Sequence, residues 1–122
     1  VYKRQIVIPV PPSQADVWST QRFIGMVKKY RDGEGNMPEM FAFINRADTN
    51  PFIRETAETS EVLKELPYIK FIYARLSQRT VFRRSFSEGL AVFEMEPNSK
   101  AAAELNALAT LLFSSLFIHE NK

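Results

Sequence analysis

The chain has 122 residues, 45% hydrophobic and 25% charged, with 4 glycines and 7 prolines. That length holds one domain with one core, and that mix belongs to globular chains rather than fibrous or disordered ones. Cysteine is absent, which excludes a disulfide framework and a thiolate metal site, and 16 basic against 14 acidic side chains leave a net charge of only +2.

Ile6-Val7-Ile8-Pro9-Val10 is a continuous apolar run, the pattern of a strand covered on both faces, with Pro9 expected at its end because proline lacks the ladder donor. Ser13, with Asp16 three residues on, reads as the N-cap of a helix running to about Tyr30, with Val17, Ile24 and Val27 on its inner face. Asp32-Gly33-Glu34-Gly35-Asn36 stops that helix in a loop. Met40 to Ile44 is a second buried strand, ending at Asn45. Asn50-Pro51 opens a helix expected from about Pro51 to Leu66, with Ala57, Val62, Leu63 and Leu66 as its apolar positions.

Tyr68 to Ala74 reads as a third strand, and Ser77 as the cap of a helix stopped by Gly89. Leu90 to Met95 reads as a short strand, and Asn98 as the cap of a last helix. On that helix Ala101, Leu105, Leu108, Ala109 and Leu112 recur at helical spacing. Strands alternating with helices imply an α/β chain with a mainly parallel sheet and helices on both faces. A chain that starts inside a doubly covered strand leaves that strand's outer edge without a neighbour, so a fragment of a larger sheet is expected.

No segment reaches the roughly 18 to 20 apolar residues of a membrane span. Leu108 to Ile118, the most apolar stretch, is interrupted by Thr110, Ser114 and Ser115. The N-terminus does not read as a signal peptide. A cytoplasmic protein is expected.

The phosphate loop G-x-x-x-x-G-K-[ST] is absent from the sequence. The single histidine, His119, reads as a solvated tail residue and supplies no catalytic set. What remains is Asn45-Arg46-Ala47-Asp48 at the carboxyl end of a buried strand, the end where open α/β sheets bind ligands. An asparagine there offers a donor and an acceptor, which suits a purine edge; the alternative is a side chain bonded to its own backbone. Arg75, Arg79, Arg83 and Arg84 form the one local basic cluster, with Arg79 and Arg83 four apart on one expected helix face and Glu88 nearby. Such a face either binds DNA phosphates or is simply solvated. Trp18 reads as a core or interface residue.

Phe43-Ile44-Asn45-Arg46-Ala47-Asp48-Thr49-Asn50-Pro51 resembles the adenine-side strand and loop of ParA partition ATPases. Ile8-Pro9-Val10, Pro12-Ser13 and Asp16-Val17-Trp18 resemble the strand and helix start before it. Arg79, Phe82, Ser85, Gly89, Ala91, Val92 and Glu94 follow in the family's order and spacing, and then Pro97-Asn98-Ser99-Lys100-Ala101-Ala102-Ala103-Glu104-Leu105. The resemblance extends from about Ile6 to Phe113 and is nearest to the short plasmid-partition branch.

It implies the C-terminal half of a P-loop NTPase-like three-layer fold, in a parent that uses ATP and Mg2+, dimerises with itself and coats DNA without sequence preference. A ParB-like centromere-binding protein would stimulate hydrolysis, and the location would be cytoplasmic at the nucleoid. Asn45 would contact adenine, with Asp48 as a second contact; no catalytic, phosphate or metal ligand is carried over. The alternatives are a non-catalytic positioning or adaptor protein of the same fold and a MinD-like membrane-positioning ATPase. MinD-like tails need a basic polar face, whereas Leu108 to Ile118 offers threonine, serine and alanine, so a helix packed on the sheet is expected.

Val1-Tyr2-Lys3-Arg4-Gln5 resembles the translation of a common sequencing adapter, so residues 1–5 are expected to be a non-native tail and 6–122 the ATPase half-domain. Without Lys3 and Arg4, 14 basic residues face 14 acidic ones, and global charge then identifies no partner.

Overall fold

The computed structural model describes residues 5–31, 38–50 and 52–120, except for the side chains of Arg31 and of residues 115–120. Val1–Arg4 of the expected tail at residues 1–5, the Asp32–Asn36 loop, Pro51 and the His119 side chain lie outside the described residues, whereas the tail's last residue, Gln5, opens the first strand and pairs with Glu39. The elements in order are β1 (Gln5–Val10), α1 (Gln14–Arg31), β2 (Glu39–Ile44), α2 (Glu55–Glu65), β3 (Ile69–Ile72), α3 (Thr80–Glu88), α4 (Val92–Met95) and α5 (Lys100–Glu120).

The three strands form one parallel sheet in the order β1-β2-β3. Two successive right-handed crossovers that step the same way put their helices on the same face. Here α1 and α2 pack against one another and against the strands. Ile8, Val10, Ala42, Ile44, Ile69 and Phe71 share that face, where they meet Leu63 and Leu66. The opposite face carries Phe41, Phe43 and Ile72, which pack against Leu108, Leu111 and Leu112 of α5. The architecture is therefore α/β, with helices on both faces of a parallel sheet, and the apolar last helix lies on the sheet as its periodicity implied.

A third cluster joins the C-terminal helices, with Val81, Val92, Ala101 and Ala102 buried together and Phe82 and Leu105 against them. Among the described residues, no helix is long and apolar enough to cross a membrane.

β1 departs from its expected double coverage. Val10 is fully buried, but Val7, which shares the α5 face with its neighbour Phe41 yet lies outside the cluster formed there, is 42% exposed. Pro9 is not at the strand's end: it pairs with Phe43, and the strand continues to Val10. Because Asn45 N donates to Val10 O, Val10 turns its backbone toward β2, and alternation turns Pro9's backbone outward. On this edge strand the missing N–H therefore costs no rung to β2.

Several boundaries also move. Ser13 caps α1 as expected: Asp16 N donates to its Oγ at 3.1 Å, and its hydroxyl bonds the Asp16 carboxylate. α2 begins at Glu55 rather than near Pro51, and its buried positions are Thr56, Thr59 and Leu63, while Ala57 and Val62 are exposed. Residues 92–95 of the expected Leu90–Met95 strand form a helical turn, fixed where Ala91 N donates to the Glu94 carboxylate at 3.1 Å. The cap of α5 is Ser99 and not Asn98, since Ala102 N donates to Ser99 Oγ at 3.1 Å. Arg79, not Ser77, occupies the N-cap position of α3. Trp18 is 57% exposed on α1, which removes it from the core.

Candidate functional site at the carboxyl edge of the sheet

β2 delivers Asn45 to the carboxyl edge, between the ends of its two neighbours. Asn45 N donates to Val10 O at 3.0 Å on one side, and Leu76 N donates to Ile44 O at 3.0 Å on the other. Arg46 then takes a left-handed backbone, with φ of 58°, a conformation that costs a non-glycine residue about 1 kcal/mol. The turn sends the Arg46 side chain to solvent and returns Ala47 to the core, where it is fully buried. Ala47 is held by a parallel bridge to Ser77, with Ala47 N donating to Leu76 O at 2.9 Å and Gln78 N donating to Ala47 O at 3.0 Å.

The far side of the loop is pinned to α2 by Asp48 N, which donates to Thr56 Oγ1 at 3.2 Å. Asn50 Oδ1 accepts from Phe52 N at 2.9 Å, closing an Asx turn. Within this frame the half-buried Asn45 side chain makes no hydrogen bond to any described residue. The expected alternative, an asparagine satisfied by its own backbone, is thus not the arrangement found. The amide presents a donor and an acceptor at the sheet's carboxyl edge, with the partly buried Asp48 three residues on.

The loop after β3 is built against the same edge. Phe43 pairs with Ile72, but the next rung joins Ile44 to Leu76, so Tyr73, Ala74 and Arg75 are looped out of the ladder, with Tyr73 and Arg75 exposed and Ala74 packed against the α5-side cluster. Ser77 and Arg79 then converge on Glu104 of α5. The Glu104 carboxylate accepts from Ser77 N at 3.2 Å, Ser77 Oγ at 2.5 Å, Arg79 Nε at 2.9 Å and Arg79 Nη2 at 3.3 Å. Burial by itself pushes the Glu104 carboxyl up; the bonds from Arg79 and Ser77 outweigh it and hold the group below the ordinary glutamate range. The Arg79 guanidinium is raised, chiefly by its bond to Glu104.

The four arginines therefore do not form one equivalent face. Arg79 is committed to Glu104, while Arg75, Arg83 and Arg84 remain exposed. Arg84 lies 3.7 Å from Glu88, a solvent-exposed pair of the kind that contributes little. Phe86, on the same helix, is 91% exposed, and no sequence motif marked it. Glu104 entered the sequence reading only as part of the motif resemblance; its role was not legible, since its partners lie 25 and 27 residues away.

No protein-family profile matches the sequence. A curated protein does. The chain is 26% identical over 99 residues to the maintenance of carboxysome distribution protein A of Halothiobacillus neapolitanus. The matched stretch takes in 81% of this chain and 44% of that protein, so the chain spans less than half the length of the relative it matches.

Proposed function

We propose that the chain is the C-terminal part of a ParA-type ATPase that positions a cargo inside the cell, with Asn45 reading the adenine of ATP. Asn45 carries the reading: its side chain stands at the carboxyl edge of a parallel strand, held by a fixed backbone frame and unbonded to the described residues. That is where ligands bind in open α/β sheets, and an amide supplies the donor and acceptor that a purine edge requires. Asp48 is the second contact. The phosphate and Mg2+ ligands belong to parts of the parent beyond this segment, and ATP supplies the energy for switching between monomer and dimer.

The motif resemblance and the similarity to a protein named for carboxysome distribution support positioning as the task. The relative's name favours a carboxysome as cargo, whereas the motif resemblance favours a plasmid or chromosome engaged through a ParB-like partner. Non-specific DNA contact is assigned to Arg75, Arg83 and Arg84, with Arg79 serving the fold.

The reading is tested in the complete protein by replacing Asn45 with alanine and comparing ATP with GTP. The preference for ATP is expected to fall about tenfold or more, because a site built to bond one purine edge loses its discriminating partner. The change should appear mainly in KM, since the phosphates react elsewhere. An unchanged ATP-to-GTP preference overturns the assignment of Asn45, and a parent gene without a lysine-bearing glycine loop overturns the ATPase.

A further inference from the structure

We propose that the groove between α1 and α2 docks a basic, amphipathic peptide segment of a partner protein, with Trp18 as its apolar seat and Glu55 and Glu58 as its anionic rim. Two observations meet there. The first is exposed apolar surface that the fold does not use: Trp18 is 57% exposed and Val62 43% exposed, and both line the groove. The second is charge of one sign. Glu55 and Glu58, three apart on one face of α2, line the same groove, and neither forms an ion pair with a described residue.

Gln14 and Gln21 belong to the α1 wall, and among the described residues the lining holds no lysine or arginine. A space of about 470 Å³ accepts a few side chains of a short segment rather than a folded domain.

The chemistry selects the occupant. An exposed indole flanked by carboxylates repels phosphate and anionic lipid. A neutral apolar segment would draw the carboxylates out of water with nothing to pair them. A lysine or arginine suits both halves: its methylene stem lies along Trp18 while its head reaches Glu55 or Glu58, and an adjacent apolar side chain covers Val62. The inference does not depend on the ATPase reading, since it uses neither Asn45 nor a nucleotide.

Trp18 is the sole tryptophan of the chain, so its fluorescence reports on the groove alone. The probe is a synthetic helical peptide with leucine on one face and lysine on the other, titrated at low ionic strength. A matching peptide carries glutamate for lysine. We expect a saturable blue shift with the lysine peptide and none with the glutamate peptide. The Glu55→Gln/Glu58→Gln double variant should raise Kd about three- to tenfold, and added salt should erase that difference. Glu96→Gln, at an exposed site outside the groove lining, should leave Kd unchanged.

An emission spectrum that does not move with the lysine peptide overturns the proposal, as does a double variant that binds as tightly as the parent. So does a blue shift that follows protein concentration without any peptide, which would make the groove a contact between two copies of this chain.

Discussion

Arg79 and Glu104, 25 residues apart, meet fork to fork: Nε lies 2.9 Å from Oε1 and Nη2 lies 3.3 Å from Oε2. The same carboxylate holds the backbone and the hydroxyl of Ser77, the residue that bridges to Ala47 beside the Asn45 loop. One side chain of α5 thus fixes the loop that backs the candidate site. Glu104→Ala should lower stability by about 2 kcal/mol, because it removes a charged acceptor and leaves its donors unpaired. Arg79→Ala should cost about 1 kcal/mol, since Glu104 keeps its bonds to Ser77. Urea midpoints of the two single variants and the double variant will show whether the pair is coupled.

Stability should fall with acid partly through this carboxylate. Its folded-state pKa lies below the ordinary value of 4.5, so between the two values the unfolded chain binds the proton more readily. The contribution is therefore fully present above the ordinary value and is lost as pH falls through the folded-state value. Arg79 stays charged throughout and adds no slope. In Glu104→Gln this part of the acid-limb slope should disappear, as read from denaturation midpoints between neutral and strongly acidic pH.

Thr56 is buried, and its hydroxyl accepts the Asp48 N–H at 3.2 Å. Thr56→Val keeps the shape and removes the acceptor, so stability should drop by about 1 kcal/mol. Hydrogen exchange at the Asp48 amide should speed up more than exchange in β2. Equal protection of Asp48 in both proteins would show that this bond does not hold the loop.

Gly89 ends α3 with φ of 68°, while Leu90 N donates to Ser85 O at 3.0 Å and Gly89 N donates to Phe86 O at 3.3 Å, the double closure of a Schellman motif. A β-carbon at Gly89 would meet nothing within 4 Å, so substitution costs backbone strain alone. Gly89→Ala should destabilise by about 1 kcal/mol, and Gly89→Asn by less. Thermal melts will resolve the order.

In the complete protein, the arginines should separate by role. Arg75→Ala and Arg83→Ala should each reduce the salt slope of non-specific DNA binding by about 1. Arg79→Ala should instead act on stability, because its charge is spent on Glu104. A slope indifferent to Arg75 and Arg83 would leave them as solvated charges.

The strands were legible because buried parallel strands read as apolar runs, and Met40–Ile44 is buried throughout. The cap of α1 was legible because Ser13 and Asp16 act within four residues of each other. Leu90–Met95 was not, since a short apolar run fits a strand or a helical turn equally well, and the Glu94 bond to Ala91 decided it. The inner face of α2 was misread for a different reason. Thr56 and Thr59 look polar in sequence, yet both are buried, and Thr56 spends its hydroxyl on Asp48. At the site, Asn45 was visible from its place after a strand. Glu104 was not: an acid among alanines on a late helix carries no sign that it holds a loop 27 residues upstream.

The outward turn of Pro9 has a consequence for how the molecule meets other strands. A polypeptide that adds itself along the free side of β1 finds donors at Gln5 and Val7 but none at Pro9, so a growing ladder loses a rung where the strand approaches its buried end. Whichever strand lies there, in the parent's own sheet or in another molecule, the proline sets how far it can pair along β1.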